Sequence, residues 1–158
     1  MGDFDSFAAA RWPGLVRTAY LMGATAHDAE DHAQAALTKV WSNWARVQAS
    51  DNPEAYTLRI LINTVHKARR RRWMGETPTG EVLDPGVSHV DDRDAALDLR
   101  RSLSALPPDQ RAVLVLRFLH DKSEAEIADI LGVPAGTVKS RSARGISALR
   151  AHMSEETL

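Results

Sequence analysis

The sequence predicts an all-α protein: two small helical domains joined by a flexible linker, the second containing a helix-turn-helix. Three observations predict it. Apolar residues recur at spacings of three and four through most of the chain. Residues 74–90 break that pattern with Gly75, Pro78, Gly80, Pro85 and Gly86. Residues 123–153 read as two helices around a tight turn, the second of them basic. The predicted boundaries are residues 1–73, a linker over 74–90, and residues 91–158.

Residues 5–11 and 13–22 read as one broken helix, because Pro13 kinks a helix interior but can begin a helix. Phe7, Leu15, Val16, Ala19 and Tyr20 form its expected buried side. Thr25 can cap the next helix, with Asp28 in its first turn. Ala29, Ala33, Ala36, Leu37, Val40, Trp41 and Trp44 then give the most regular apolar stripe of the chain. The two tryptophans read as core or inter-helix packing. His27, Asp28, Asp31 and His32 form two i, i+4 pairs that could touch a metal. Two weak pairs with no further ligand read better as a solvated helix start, so no metal or cofactor is expected.

Ser50-Asp51-Asn52-Pro53 is a turn with Pro at a first helical position. The helix it opens runs to about Arg72, with Leu58, Leu61, Ile62 and Val65 facing inward. Arg59, Asn63, His66, Lys67 and Arg70 share another face. Arg69-Arg70-Arg71-Arg72 completes a basic end whose nearest acids in sequence are Glu54 and Glu76. A phosphate backbone suits such a run; the plainer reading is a solvated charge cluster.

Helix resumes over residues 91–106, with Ala96, Leu99, Leu103 and Leu106 inward. Pro107-Pro108 stops it and starts the next. Residues 111–120 are apolar nearly all round and predict a central helix. Ser123-Glu124-Ala125-Glu126 is a capping box, Ile127, Ala128 and Leu131 form an apolar face, and Gly132 stands where a left-handed residue ends the helix. Pro134 fits the start of the last helix, whose Val138, Ile146 and Leu149 point inward. Lys139, Arg141, Arg144 and Arg150 charge it, with no acid from Val133 to Ser154. In such a pair the first residues of the second helix enter the major groove, here Thr137, Lys139, Ser140 and Arg141. An ordinary helical hairpin with a basic face is the bland alternative.

Composition limits the function classes. A hydrophobic content of 44% suffices for packed cores. With no Cys there is no disulfide, thiol nucleophile or cysteine-based zinc site, which suits a reducing cytoplasm. The longest apolar run, residues 112–116, is far short of a membrane span, and the acidic start of the chain does not read as a signal peptide. Net charge is −1, but residues 59–73 hold 6 basic and no acidic side chains, and residues 133–158 hold 4 basic and 2 acidic. Residues 74–132 hold 6 basic and 12 acidic side chains, and residues 1–58 hold 4 and 7. Two basic surfaces on an otherwise acidic chain point to two polyanion contacts.

These residues bring the chain to a family. It resembles bacterial RNA polymerase sigma factors of the sigma-70 family, extracytoplasmic-function (group 4) type, across nearly all of residues 5–152. Leu106-Pro107-Pro108-Asp109-Gln110-Arg111, Ser123-Glu124-Ala125-Glu126-Ile127-Ala128 and Gly136-Thr137-Val138-Lys139-Ser140-Arg141 resemble the family's region 4. Asp28-Ala29-Glu30-Asp31 with Trp41, and Pro53-Glu54-Ala55-Tyr56 through Asn63 to the Arg run, resemble region 2. The resemblance implies a non-enzymatic, cytoplasmic bacterial protein that binds core RNA polymerase and directs transcription initiation at promoters.

It further implies −35 contacts by Thr137, Lys139, Ser140, Arg141 and Arg144. It implies −10 contacts by Arg59, Asn63, Lys67, Arg69, Arg70, Arg71 and Arg72, with residues 47–52 holding a flipped base. Asp28, Glu30, Asp31, Gln34 and Trp41 would dock on the polymerase. The implied partners are core polymerase (β′ clamp and β flap), promoter DNA and an anti-sigma protein, with no membrane, and a monomer when polymerase-bound. Ala35 and Ser142 depart from the family pattern, where an acid and an apolar residue are common; Ser142 implies a less tightly packed recognition helix. Gly145 inside that helix costs roughly 1 kcal/mol against Ala. The rivals are a stand-alone helix-turn-helix regulator binding as a symmetric dimer, and a metal-dependent hydrolase using residues 27–32.

Overall fold

The computed structural model describes residues 2–73 and 90–156, and every regular element among them is helical. The predicted linker lies outside the described residues, except Val90, which already opens a helix. The described residues form two compact units, one of residues 2–20 and 24–73, the other of residues 21–23 and 90–156.

In the first unit, α1 (Gly2–Leu21) is one helix that runs through Pro13. The sequence predicts a break there. Pro13 and Ala9 are both exposed, so the ring projects into solvent and the carbonyl left without a donor can be hydrated. Leu15 and Ala19 are buried as predicted, and Thr18 joins them, its hydroxyl donating to the Gly14 carbonyl at 2.6 Å. Helix α2 (Ala26–Ser42) starts where Thr25 Oγ1 accepts the Asp28 N–H at 3.1 Å. Its alanines 29, 33 and 36 are wholly buried, and α4 (Pro53–Trp73) packs on α2 more extensively than any other element does. Small side chains bring the two backbones close, and Leu58, Leu61, Ile62 and Val65 of α4 complete the core.

The α2 stripe is shorter than the periodicity predicts. Asn43 (φ −119°, ψ 28°) leaves the helix, and its side-chain amide donates to the Lys39 carbonyl at 3.1 Å. Trp44 therefore begins a separate helix, α3 (Trp44–Ala49). The tryptophans are inter-helix packing, not core. Trp41 is 50% exposed and lies 4.9 Å from the Phe4 ring, and Trp44 is half-buried against Phe4 and Phe7 at 5.3 Å each.

In the second unit, α5 (Val90–Ser104) buries Leu103, with Leu106 buried just beyond it, but leaves Leu99 exposed, against expectation. Pro108 opens α6 (Pro108–Leu114). The buried Arg111 guanidinium donates to the carbonyls of Leu106 at 3.1 Å and Ser104 at 3.4 Å, tying the turn before α6 to the helix. The predicted central helix over 111–120 forms, but not as one regular α-helix. At Val115 the chain widens into a π turn, Val115–Leu119, and Phe118 on it is 65% exposed. The extra residue of a π turn rotates the side chains after it, so an apolar run continues while its last members leave the core.

Helix α7 (Glu124–Leu131) has both halves of the capping box: Ser123 Oγ accepts the Glu126 N–H, and Glu126 Oε1 accepts the Ser123 N–H, each at 3.1 Å. Ile127 and Ile130 are its buried residues, while Ala128 and Leu131 are half-buried. Gly132 is left-handed (φ 68°, ψ 38°), and its N–H and that of Val133 return to the Ala128 carbonyl. Pro134 precedes α8 (Ala135–Glu156) and supplies the first accepting carbonyl, to Thr137 and Val138. Helix α8 packs on α6 and α7 through Val138, Ser142 and Gly145, all buried.

Candidate nucleic-acid interface

The first surface is the start of α8. Lys139 and Arg144 are exposed, Thr137, Ser140 and Arg141 are half-buried, and Val138 and Ser142 anchor the opposite side of the helix. Lys139 and Arg144 have no ion-pair partner among the described residues. Arg141 does: its Nε lies 3.4 Å from Asp109 Oδ2, at the start of α6. The other Asp109 oxygen accepts the Gln110 N–H at 2.9 Å.

Ser142 does not loosen the recognition helix. It is 2% exposed, and its hydroxyl receives a hydrogen bond from Arg117 Nη1 on the π turn, while the Arg117 guanidinium sits 5.2 Å over the Phe118 ring. A buried hydroxyl with a charged donor is satisfied, so the polar residue costs little here. Asp109 and Arg117 are the residues that sequence reasoning missed. Asp109 enters only within the Leu106–Arg111 stretch that resembles region 4, and Arg117 is given no role.

The second surface is the outer side of α4. Arg59, Asn63, Lys67, Arg69, Arg70 and Arg71 are exposed, and none of these cations has an ion-pair partner among the described residues. Arg72 differs from them, and from the expectation based on sequence neighbours. It pairs with Asp28 of α2, one of the predicted docking residues. Only half of the predicted base-holding stretch is loop. Residues 47–49 are helical and Val47 is fully buried, which leaves Ser50, Asp51 and Asn52. Of these, Asn52 Oδ1 caps α4 through the Ala55 N–H at 3.1 Å, and Ser50 Oγ donates to the Val47 carbonyl at 2.6 Å.

The remaining docking candidates lie on the exposed side of α2. Glu30, Asp31, Gln34 and Trp41 are all exposed, and Asp31 pairs with His27 at 3.5 Å. Asp28 turns away from them, half-buried, toward Arg72. His32 is held below the usual histidine range, first by burial and then by the Arg72 charge, against the opposing pull of Asp28 and Asp31. Among the described residues no group of three or more His, Asp or Glu is disposed to hold a metal ion. No described helix is long and apolar enough to cross a membrane.

Two family models match the chain: "Sigma-70 region 2" over residues 10–74 and "Sigma-70, region 4" over residues 96–149. An RNA polymerase sigma-E factor of Streptomyces coelicolor is 33% identical over 94% of this chain and 84% of its own length. The ECF RNA polymerase sigma factor SigW of Bacillus subtilis is 29% identical over 94% and 89%. Among solved structures, the sigma factor RpoE of Bartonella quintana, crystallised with the anti-sigma factor NepR, superposes with a TM-score of 0.80. That match is 25% identical and covers 98% of both chains.

Proposed function

This chain belongs to the sigma-70 family of RNA polymerase sigma factors, in its extracytoplasmic-function group, and on that premise we propose how its two units divide the work. As a sigma factor it binds core RNA polymerase and directs promoter recognition and transcription initiation. Sigma factors are not enzymes; the chemistry belongs to the polymerase.

Residues 91–158 form the −35 unit. The observation that carries this reading is the left-handed turn at Gly132, which presents a basic, acid-free start of α8 outside the core. Thr137, Lys139, Ser140, Arg141 and Arg144 then face the major groove, phosphate contacts positioning the helix and Arg141 reading a base edge. Residues 1–73 form the unit for core polymerase and the −10 element, and residues 74–90 link the two. The exposed cations of α4 hold the strand backbone, and Asn63 offers an amide that both donates to and accepts from an exposed base. Glu30, Asp31, Gln34 and Trp41 dock on the β′ clamp, the −35 unit meets the β flap, and the protein acts as a monomer on polymerase. An anti-sigma protein is a fitting regulator, since the Bartonella relative is crystallised with one. The exposed cations of α4 also count against a stand-alone regulator, which needs no second basic face.

The test separates the two contacts. Arg141→Ala loses a base contact, costs about 1–3 kcal/mol in closed-complex binding and relaxes preference at one −35 base. Asn63→Ala leaves closed binding intact and impairs opening. A pre-melted template rescues Asn63→Ala if the residue drives melting and not if it reads the base. Wild-type transcription by Asn63→Ala on both templates would remove this residue from the assignment.

A further inference from the structure

We propose that Asp109 is a positioning residue for promoter reading: it aims Arg141 and so sharpens discrimination at the −35 element. The inference rests on the assignment of Arg141 to that element. Two constraints meet at this turn of α8. The backbone is fixed, because Ser142 is 2% exposed and hydrogen-bonded by Arg117. What remains free is the Arg141 side chain, with several rotatable bonds, and Asp109 takes hold of it by Nε at 3.4 Å.

The Asp109 carboxylate is itself held. One oxygen accepts the Gln110 N–H at 2.9 Å, behind the rigid Pro107-Pro108 pair, which leaves Oδ2 for Arg141. The choice of Nε matters. An arginine presents its five N–H groups on a planar fork. With Nε engaged, both terminal amino groups stay available to the two acceptors of a guanine edge. The Arg141 side chain remains 26% exposed. A carboxylate beside a DNA-facing helix also repels phosphate, so it lowers affinity for every duplex alike. Asp109 thus lowers general affinity and raises selectivity.

Those opposite signs make the test specific. Wild type, Asp109→Asn, Arg141→Ala and the double variant are assembled with core polymerase and selected on a duplex library randomised across the −35 element. Asn keeps a side-chain oxygen for the Gln110 N–H; Asp109→Ser is a second neutral variant, and thermal melts identify any loss of fold. The base read by Arg141 is defined as the one whose preference Arg141→Ala abolishes. At that base Asp109→Asn should lose about two- to tenfold in discrimination, the cost of immobilising one long side chain at binding. Its affinity for all duplexes should rise, and the change in discrimination should vanish in the Arg141→Ala background. Discrimination unchanged in both neutral variants, with affinity raised uniformly, makes Asp109 a plain counter-ion and overturns the proposal while the −35 assignment of Arg141 stands. If Arg141→Ala alters preference at no base, that assignment falls and takes the proposal with it.

Discussion

Gly145 shows how far a residue's meaning depends on its neighbours. By propensity alone an alanine there would stabilise α8 by about 1 kcal/mol. A Cβ at this position, however, would stand 3.1 Å from Leu114 Cδ1 and 3.2 Å from Cγ. Leu114 is buried at the last turn of α6 and has little room to retreat. Overpacking of this kind costs about 1–3 kcal/mol, which outweighs the gain. Gly145→Ala should therefore lower stability by on the order of 1 kcal/mol in urea denaturation. The loss should shrink when Leu114→Ala removes the obstructing atoms. A stabilised Gly145→Ala would show that α6 yields more easily than its burial implies.

At the scale of elements, most helix ends rest on local hydrogen bonds that the sequence names directly. Thr25, Asn52 and Ser123 each accept a backbone N–H two or three residues into α2, α4 and α7. The α7 cap matters most for DNA reading, because α7 is the support on which α8 turns. Ser123→Ala should cost about 1 kcal/mol. The reciprocal partner, Glu126, is held below the usual carboxylate range chiefly by the Ser123 backbone N–H and then by its hydroxyl. A depressed folded value means this half of the cap stabilises above the unfolded carboxylate pKa and is lost as pH falls through the folded value. Thermal melts of wild type should thus lose stability as acid is added through that window, and Glu126→Ala, which removes the titrating carboxylate, should lose less. Equal acid sensitivity in the two proteins would count against the reciprocal cap. The π turn at Val115–Leu119 lacks such a signal: apart from Arg117 its residues are apolar, all are helix-compatible, and nothing local marks the extra residue.

At the scale of the whole molecule, each basic face has, among the described residues, one cation engaged by an acid of its own unit: Arg72 by Asp28, and Arg141 by Asp109. Acids also outnumber bases 12 to 6 over residues 74–132. Phosphate affinity comes from cations that release counter-ions, and internal pairing reduces that gain. The isolated protein should bind duplex promoter weakly at physiological salt, while holoenzyme binds the same duplex specifically; anisotropy titrations of both would show it. Tight, sequence-specific binding by the isolated chain as a dimer would instead favour a stand-alone regulator.

The sequence by itself determined the helices, their caps and the left-handed turn at Gly132, because these depend on residues three or four positions apart. It also placed the basic stretches of α4 and α8, since charge runs are visible without a fold, and its resemblance to the sigma-70 family was enough to anticipate the function. Tertiary structure decided which partner each of these residues meets. Arg72 reaches an acid 44 residues away in α2, and Arg117 reaches Ser142 across 25 residues. Periodicity says which side of a helix is buried but not what lies against it. It therefore placed Ala29, Ala33 and Val138 correctly, yet put Leu99 inside, extended α2 to Trp44 and treated Gly145 as a cost. Close packing and long-range charge pairing settle such positions, and both depend on atoms that the chain brings together only when it folds.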